Sequence, residues 1–370
     1  MNSMTVETAT GGIDKKTSTQ ERGIHIRPRL PDIEFDERLP RNHTGSIGET
    51  AFANMAGVFA NVAEKMFIRS GNLMLPLVGQ REYEQELANF IAQEAYHSRV
   101  HERMNKVLRT KRYPVEEFRS FAQRIVDEIF ENAGHRMILA ASLAGEQAIG
   151  LFGDALLEHP SALEKWNEQV KRLLLWHAYE EVEHTAALFD SFHLAVGDRD
   201  NAYKLRMWGL AYLTVVLASV WGAGLFVFMQ HEGSREGWKL RNWRDVGSFF
   251  FGERGVFSKS GGHLKDYLRR DFHPWDGRSA HELLEKHKTY VSPDWDMTGK
   301  VKQKPVRETN AISAETLRKD VNNWVEGACF VRFLLNAGYL TGRFFLKSTA
   351  KRFWREDRKA YEARAVPVTG

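Results

Sequence analysis

"FIAQEAYHSRVHERMN", residues 90–105, sets Glu94, His97 and His101 among Phe90, Ile91 and Met104 on what reads as one buried helical face. Positions three and four apart share a side of a helix. An ionisable group in an apolar core is costly unless it is paired, neutralised or bound to a metal. Glu94 and His97 form E-x-x-H, a spacing that one helical turn brings onto a common face. One such pair arises easily by chance. A second lies in "LLLWHAYEEVEHTAALFD", residues 173–190, where Glu181 and His184 sit among Leu173, Leu174, Ala186 and Leu188.

A dinuclear carboxylate site in a four-helix bundle takes one E-x-x-H from each of two helices and a lone Glu from each of the other two. Two lone glutamates are present. Glu64 lies in "AGVFANVAEKMFIRS" (56–70), and Glu146 is the one acidic residue of "ILAASLAGEQAIGLFG" (138–153). The order Glu64, Glu94–His97, Glu146, Glu181–His184 completes the pattern of a ferritin-like bundle. Singly, each has an ordinary explanation: a buried Glu paired with Arg69 or Arg99, or a hydrogen-bonded core His. Together they predict metal ligation. His177, four residues before Glu181, is expected as an added ligand. His101 is expected to support a ligand by hydrogen bonding, because its Cα lies about 10 Å along the axis from that of Glu94. Glu180 and Glu183 are expected to be solvated or salt-bridged. Oxygen and imidazole donors without thiolate favour two iron ions, with manganese second.

Composition sets the frame. The chain has 370 residues and a net charge of +4, with no concentrated basic patch of the kind nucleic acid requires. Cys329 is the only cysteine, which excludes an internal disulfide and fits a reducing, cytoplasmic setting. The polar, Thr-rich start contains no apolar signal segment, and residues 1–40 are expected to form a disordered or mobile arm. Residues 41–200 are read as the metal-binding bundle, with helices near 47–70, 82–109, 115–158 (broken around Gly134) and 162–196. Pro114 and Pro160 suit helix starts, and Gly71 and Gly197 suit stops. The fold class expected is all-α, with additional C-terminal helices over 201–370.

Residues 207–229, "MWGLAYLTVVLASVWGAGLFVFM", carry no charge. A helix of that length spans roughly 35 Å against a hydrocarbon core of about 30 Å. Trp208, Tyr212 and Trp221 lie within it, Lys204 and Arg206 precede it, and Arg235, Lys239 and Arg241 follow. It reads either as a membrane-embedded helix or as the central helix of a bundle, with a lean to association with the cytoplasmic membrane surface. Residues 230–310 look irregular. The last helical region, 314–362, runs into the basic tail "KSTAKRFWREDRKAYEAR" (347–364), which suits an anionic surface or a solvated face.

The segments "RLPRNHTG" (38–45), "FIAQEAYHSRVHERMN" and "LLLWHAYEEVEHTAALFD", with the later "FHPWD" (272–276), resemble the bacterial family of predicted metal-dependent hydrolases over about residues 38–290. Gln147 stands beside Glu146 where that family is expected to carry His. The ligand pattern, His177 included, is also similar to that of the di-iron N-oxygenases that oxidise aryl amines. That resemblance implies seven ligands: Glu64, Glu94, His97, Glu146, His177, Glu181 and His184. The first reading is therefore oxidation of a small lipophilic substrate by O₂ and an external electron donor. Hydrolysis by metal-activated water is the alternative, and a non-catalytic metal- or lipid-binding bundle is the third.

Overall fold

The computed structural model describes residues 16–233, 235–258, 265–300 and 312–364, with side chains to residue 349. Residues 1–15 of the expected arm and the side chains of 350–364 in the basic tail lie outside them. The chain is all-α. Its helices are α1 (Ser18–Glu21), α2 (Ile47–Val78), α3 (Arg81–Thr110), α4 (Val115–Glu158), α5 (Glu168–His184), α6 (Ala187–Val196), α7 (Arg199–Glu232), α8 (Leu240–Phe251), α9 (Ala280–His287), α10 (Ala314–Arg318) and α11 (Asn323–Arg364). Short 3₁₀ turns connect some of them, and among the described residues the only β pairing is an isolated Arg29–Asp296 bridge.

Helices α2 to α5 carry the four predicted ligand segments. Helix α2 packs on α3, α4 on α5, and α2 on α4. Helix α2 starts where the Ser46 side chain accepts a hydrogen bond from the Glu49 amide, and it stops at Gly79 (φ +61°). It runs through Gly71, the expected stop. A Cβ there would come within 2.6 Å of Ile91 Cγ1, so this glycine serves close packing of α2 on α3. Helix α4 breaks at Gly134 (φ +74°, ψ −173°), as its sequence suggests. The segment expected as one helix over 162–196 is divided: a 3₁₀ turn at Pro160–Leu163, then α5, then α6 after a break at Thr185–Ala186.

The expected arm is a correction. Over 16–40 the chain is docked, with Ile24, Ile26, Ile33 and Leu39 buried. The Thr17 hydroxyl bonds Glu86 on α3, and Thr19 Oγ1 donates to the same carboxylate at 3.0 Å. Arg103 on α3 donates to the Pro31 and Ile33 carbonyls at 2.8 and 3.0 Å. Trp275 of "FHPWD" is buried, and its indole donates to Ser18 Oγ at 3.0 Å. Thinly spaced isoleucines are enough to anchor an extended segment, and the surrounding polar residues conceal them.

Helix α7 lies outside the four-helix group, against α4, α2 and α11. By length and composition it could cross a membrane, as the core helix of a soluble protein also could, and half of its most apolar stretch is buried against protein. Tyr212, Leu213, Val216, Val220 and Phe228 face protein, while Thr214, Ala218 and Gly222 form an open stripe. Arg206, one of the basic residues that precede the uncharged run, is fully buried. It donates to the Tyr267 and Arg269 carbonyls at 2.9 and 2.7 Å, and its guanidinium lies 4.9 Å from the Tyr267 ring centroid. The region expected to be irregular contains α8 and α9.

The α4–α7 contact is tight: a Cβ on Gly209 would stand 2.2 Å from the Ala140 carbonyl oxygen. Backbone cannot yield there without separating the helices. Gly209→Ala is expected to lower stability by about 1–3 kcal/mol, the usual cost of overpacking. A shift of the urea unfolding midpoint to lower denaturant checks it.

Candidate metal centre

Apolar positions turn the same faces of α2, α3, α4 and α5 inward, and the ionisable residues on those faces meet. Glu64 comes from α2, Glu94, His97 and His101 from α3, Glu146 from α4, and His177, Glu181 and His184 from α5. All are buried except His177, which is partly so. His184 Nε2 lies 3.3 Å from Glu94, 3.4 Å from Glu146 and 3.1 Å from Glu181. His97 Nδ1 lies 3.6 Å from both Glu94 and Glu181. His177 Nε2 is 2.7 Å from Glu181 Oε1 and its Nδ1 is 2.8 Å from His101 Nε2.

Three donor groups have geometry that can hold a cation: Glu94–Glu146–His184, His97–His177–Glu181 and Glu64–His101–His177. The seven residues that sequence singles out as ligands are thus brought together. His101 joins them through His177 and Glu64, with Nε2 3.7 Å from Glu64 Oε1. Its hydrogen bond to His177 is of the supporting kind expected from sequence, and its place in the Glu64–His101–His177 group adds a second possible role that spacing along α3 could not indicate.

Electrostatics favours cations here. Both carboxylate oxygens of Glu64, Glu94 and Glu146 are buried without a hydrogen-bond donor, as are His97 Nδ1 and His101 Nδ1. Burial, reinforced by neighbouring carboxylates, pushes the Glu64 and Glu94 carboxyls well above their ordinary range, and burial raises Glu146 as well. Burial also opposes ionisation of Glu181, but the charge of His184 and the hydrogen bond from His177 outweigh it and hold this carboxyl low. His97 and His101 are pushed well below their ordinary value by burial and by neighbouring imidazole, which keeps lone pairs available. Orphaned oxygens and neutral imidazoles around one volume are a donor set that divalent cations satisfy.

An outer layer fixes the imidazoles. Glu180 and Glu183, expected to be solvated or salt-bridged, are buried and salt-bridged to Arg29: Nη1 is 3.0 Å from Glu180 Oε1 and 2.7 Å from Glu183 Oε2. Gln93 donates through Nε2 to Glu183 at 2.9 Å, so its Oε1 is the acceptor that faces His184 Nδ1 at 3.0 Å. Gln93 thus holds a proton on His184 Nδ1 and aims Nε2 at the carboxylates, which keep a second proton on that nitrogen; a bound cation would take that proton's place. His97 Nε2 bonds Glu180 Oε2 at 3.0 Å, which leaves Nδ1 facing inward. Gln93 and Arg29 escaped the sequence reading. The one available signal was that Gln93 precedes Glu94 on α3.

Two metal ions per chain are expected. Gln93→Leu should lower affinity for the ion nearest His184 roughly 10–100-fold, the usual effect of losing a partner that orients a ligand. Competition titration against a chelator, with bound metal counted by elemental analysis, measures it.

Comparison with known proteins gives one family. The model of that family, described as predicted metal-dependent hydrolase, matches residues 27–277, which include every residue of the cluster and its outer layer. No curated protein and no solved structure matches the chain. With more than half of its length matched, the chain belongs to the predicted metal-dependent hydrolase family.

Proposed function

We propose that this protein is a dinuclear metal-dependent enzyme that hydrolyses a lipophilic substrate. The observation that carries the reading is a cavity of about 600 Å³ between α2, α4, α5, α7 and α8. Its ionisable lining residues are His101, His177 and Glu181; the rest of the wall is apolar, including Phe67, Met104, Phe152, Leu217 and Phe250. The volume lies within the roughly 300–1,000 Å³ of small-molecule sites. An apolar group filling this space would have its reactive end at the cluster.

In this reading Glu64, Glu94, His97, Glu146, His177, Glu181 and His184 hold two ions, and His101 completes the side nearest Glu64. Bound ions would supply a Lewis acid and an acidified water. The chain's own residues do the rest. Gln93 and Glu180 hold His184 and His97 in the ligating tautomer. Arg29 pairs with Glu180 and Glu183 and so holds Glu180 and, through Glu183, Gln93 in place. The aromatic and aliphatic wall excludes bulk water and seats the substrate.

Family membership favours hydrolysis over the oxidation expected first from sequence. One observation speaks for oxidation by O₂ at iron, with manganese as the second metal. Outside the cluster the cavity wall has no ionisable group to bind the polar ends of a scissile bond, and oxidation of a hydrocarbon needs none. Long-chain 4-nitrophenyl esters, assayed without O₂ after loading with Mn(II), Zn(II) or Fe(II), separate the two. Hydrolysis is expected, reduced at least about 100-fold in Glu146→Ala, where a ligand itself is lost. No hydrolysis, with substrate-dependent O₂ uptake by the Fe(II) form, would replace this reading with oxidation.

Gly222 lines the cavity at the open stripe of α7, and a Cβ there meets nothing within 4 Å. Gly222→Phe should fold normally and narrow the cavity. Long-chain esters are expected to lose on the order of tenfold in kcat/KM, about two buried methylenes' worth of binding, while short-chain esters are spared. Steady-state kinetics across a chain-length series reads the difference.

A further inference from the structure

The mouth of the cavity lies in an unusual surface. Gly222 of α7 and Trp243, Gly247 and Phe251 of α8 both line the cavity and are exposed. Around them the surface stays apolar. Trp238, Leu240 and Phe251 are 68%, 74% and 69% exposed. On α11 Val331, Leu335 and Leu346 are also exposed, along a helix that packs on α4 and α7. The two areas touch: Trp238 stands 6.5 Å from the Phe345 ring on α11, and both rings meet Phe226 of α7, at 4.8 and 4.7 Å. Soluble monomers seldom leave so many large apolar side chains in one stretch of surface.

Charge indicates the occupant. Between residues 235 and 254 the basic residues are Arg235, Lys239, Arg241, Arg244 and Arg254, against Glu236, Asp245 and Glu253. On α11 the charged residues between 324 and 347 are Glu326, Arg332, Arg343 and Lys347. Glu326 is buried against Arg136, at 2.6 Å, so every exposed charge there is basic. Exposed tryptophans and leucines flanked by arginine and lysine suit the headgroup region of an anionic bilayer. A second copy of the same face would set basic residues against basic residues.

We propose that the face formed by α8, the open stripe of α7 and the outer side of α11 docks on an anionic lipid bilayer, and that the cavity draws its substrate from that bilayer. The protein lies on the surface without crossing it. The uncharged run 207–229 contributes only its stripe of Thr214, Ala218 and Gly222, and its opposite side stays packed on α4. The entry route rests on the lipophilic-substrate reading. The docking does not, because it involves no residue of the metal cluster.

Vesicle co-sedimentation of the full chain tests this. Vesicles of phosphatidylcholine alone are compared with vesicles containing phosphatidylglycerol, with and without added metal. Binding to the anionic vesicles is expected, several-fold tighter for each basic residue engaged and weakening as salt rises. The exposed tryptophans should shift their emission to the blue. Leu240→Asp with Phe251→Asp should weaken binding on the order of tenfold or more. Both side chains are exposed, so thermal unfolding of this variant should match the parent. Three results would overturn the proposal: no binding of the parent chain at low salt, equal binding by the folded double variant, or a parent dimer in gel filtration that the double variant dissociates. Ester turnover is read separately, so failure of the metal-centre reading leaves vesicle binding intact, and the reverse.

Discussion

Four carboxylates buried together inside a helical bundle are the constraint on which the rest of this structure depends. Glu64, Glu94, Glu146 and Glu181 have been removed from water, and their ion-pair partners within the described residues are histidines. The one guanidinium of the outer layer, Arg29, is already committed to Glu180 and Glu183. Carboxylates this close cannot all ionise in a medium of low dielectric without added positive charge. Divalent cations supply that charge without a long side chain, and the orphaned oxygens match their need for hard ligands.

The outer layer explains why the N-terminal segment is docked. Arg29 lies outside the four-helix group in sequence, yet it reaches Glu180 and Glu183, which in turn hold His97 and, through Gln93, His184. The same Arg29 that compensates the outer glutamates thereby attaches residues 16–40 to α3 and α5. Burial pulls its guanidinium toward losing a proton, but Glu183 and Glu180 hold it protonated, well above its ordinary value. Removing it would leave two buried carboxylates without their cation, a class of change that costs about 3–5 kcal/mol.

Helices α7 and α8 close the other side of the cluster. Their aromatic and aliphatic residues roof a cavity whose floor is His101, His177 and Glu181. Such a wall keeps the local dielectric low, which strengthens every interaction within the cluster. The α7 run, which sequence alone leaves open between a membrane helix and the central helix of a bundle, has two sides, one packed on α4 through Gly209 and one left open beside the cavity mouth.

Much of the fold class and the inner cluster was legible in the sequence, because both depend on spacing along single helices. Apolar residues at three- and four-residue intervals determine the all-α class, and E-x-x-H determines which Glu and His share a face. Gly134 marked its own break, since only a residue without Cβ adopts φ +74° freely. What depends on one element meeting another was decided only in three dimensions. His101 gained its place from His177 across the bundle. Arg206 became a buried anchor because the Tyr267–Arg269 backbone folds over it. Gly71 proved to be a packing contact, and four isoleucines and leucines fixed a segment that composition alone describes as mobile. The physical reason is the same in each case: periodicity assigns a residue to a face, but long-range packing chooses the face it meets.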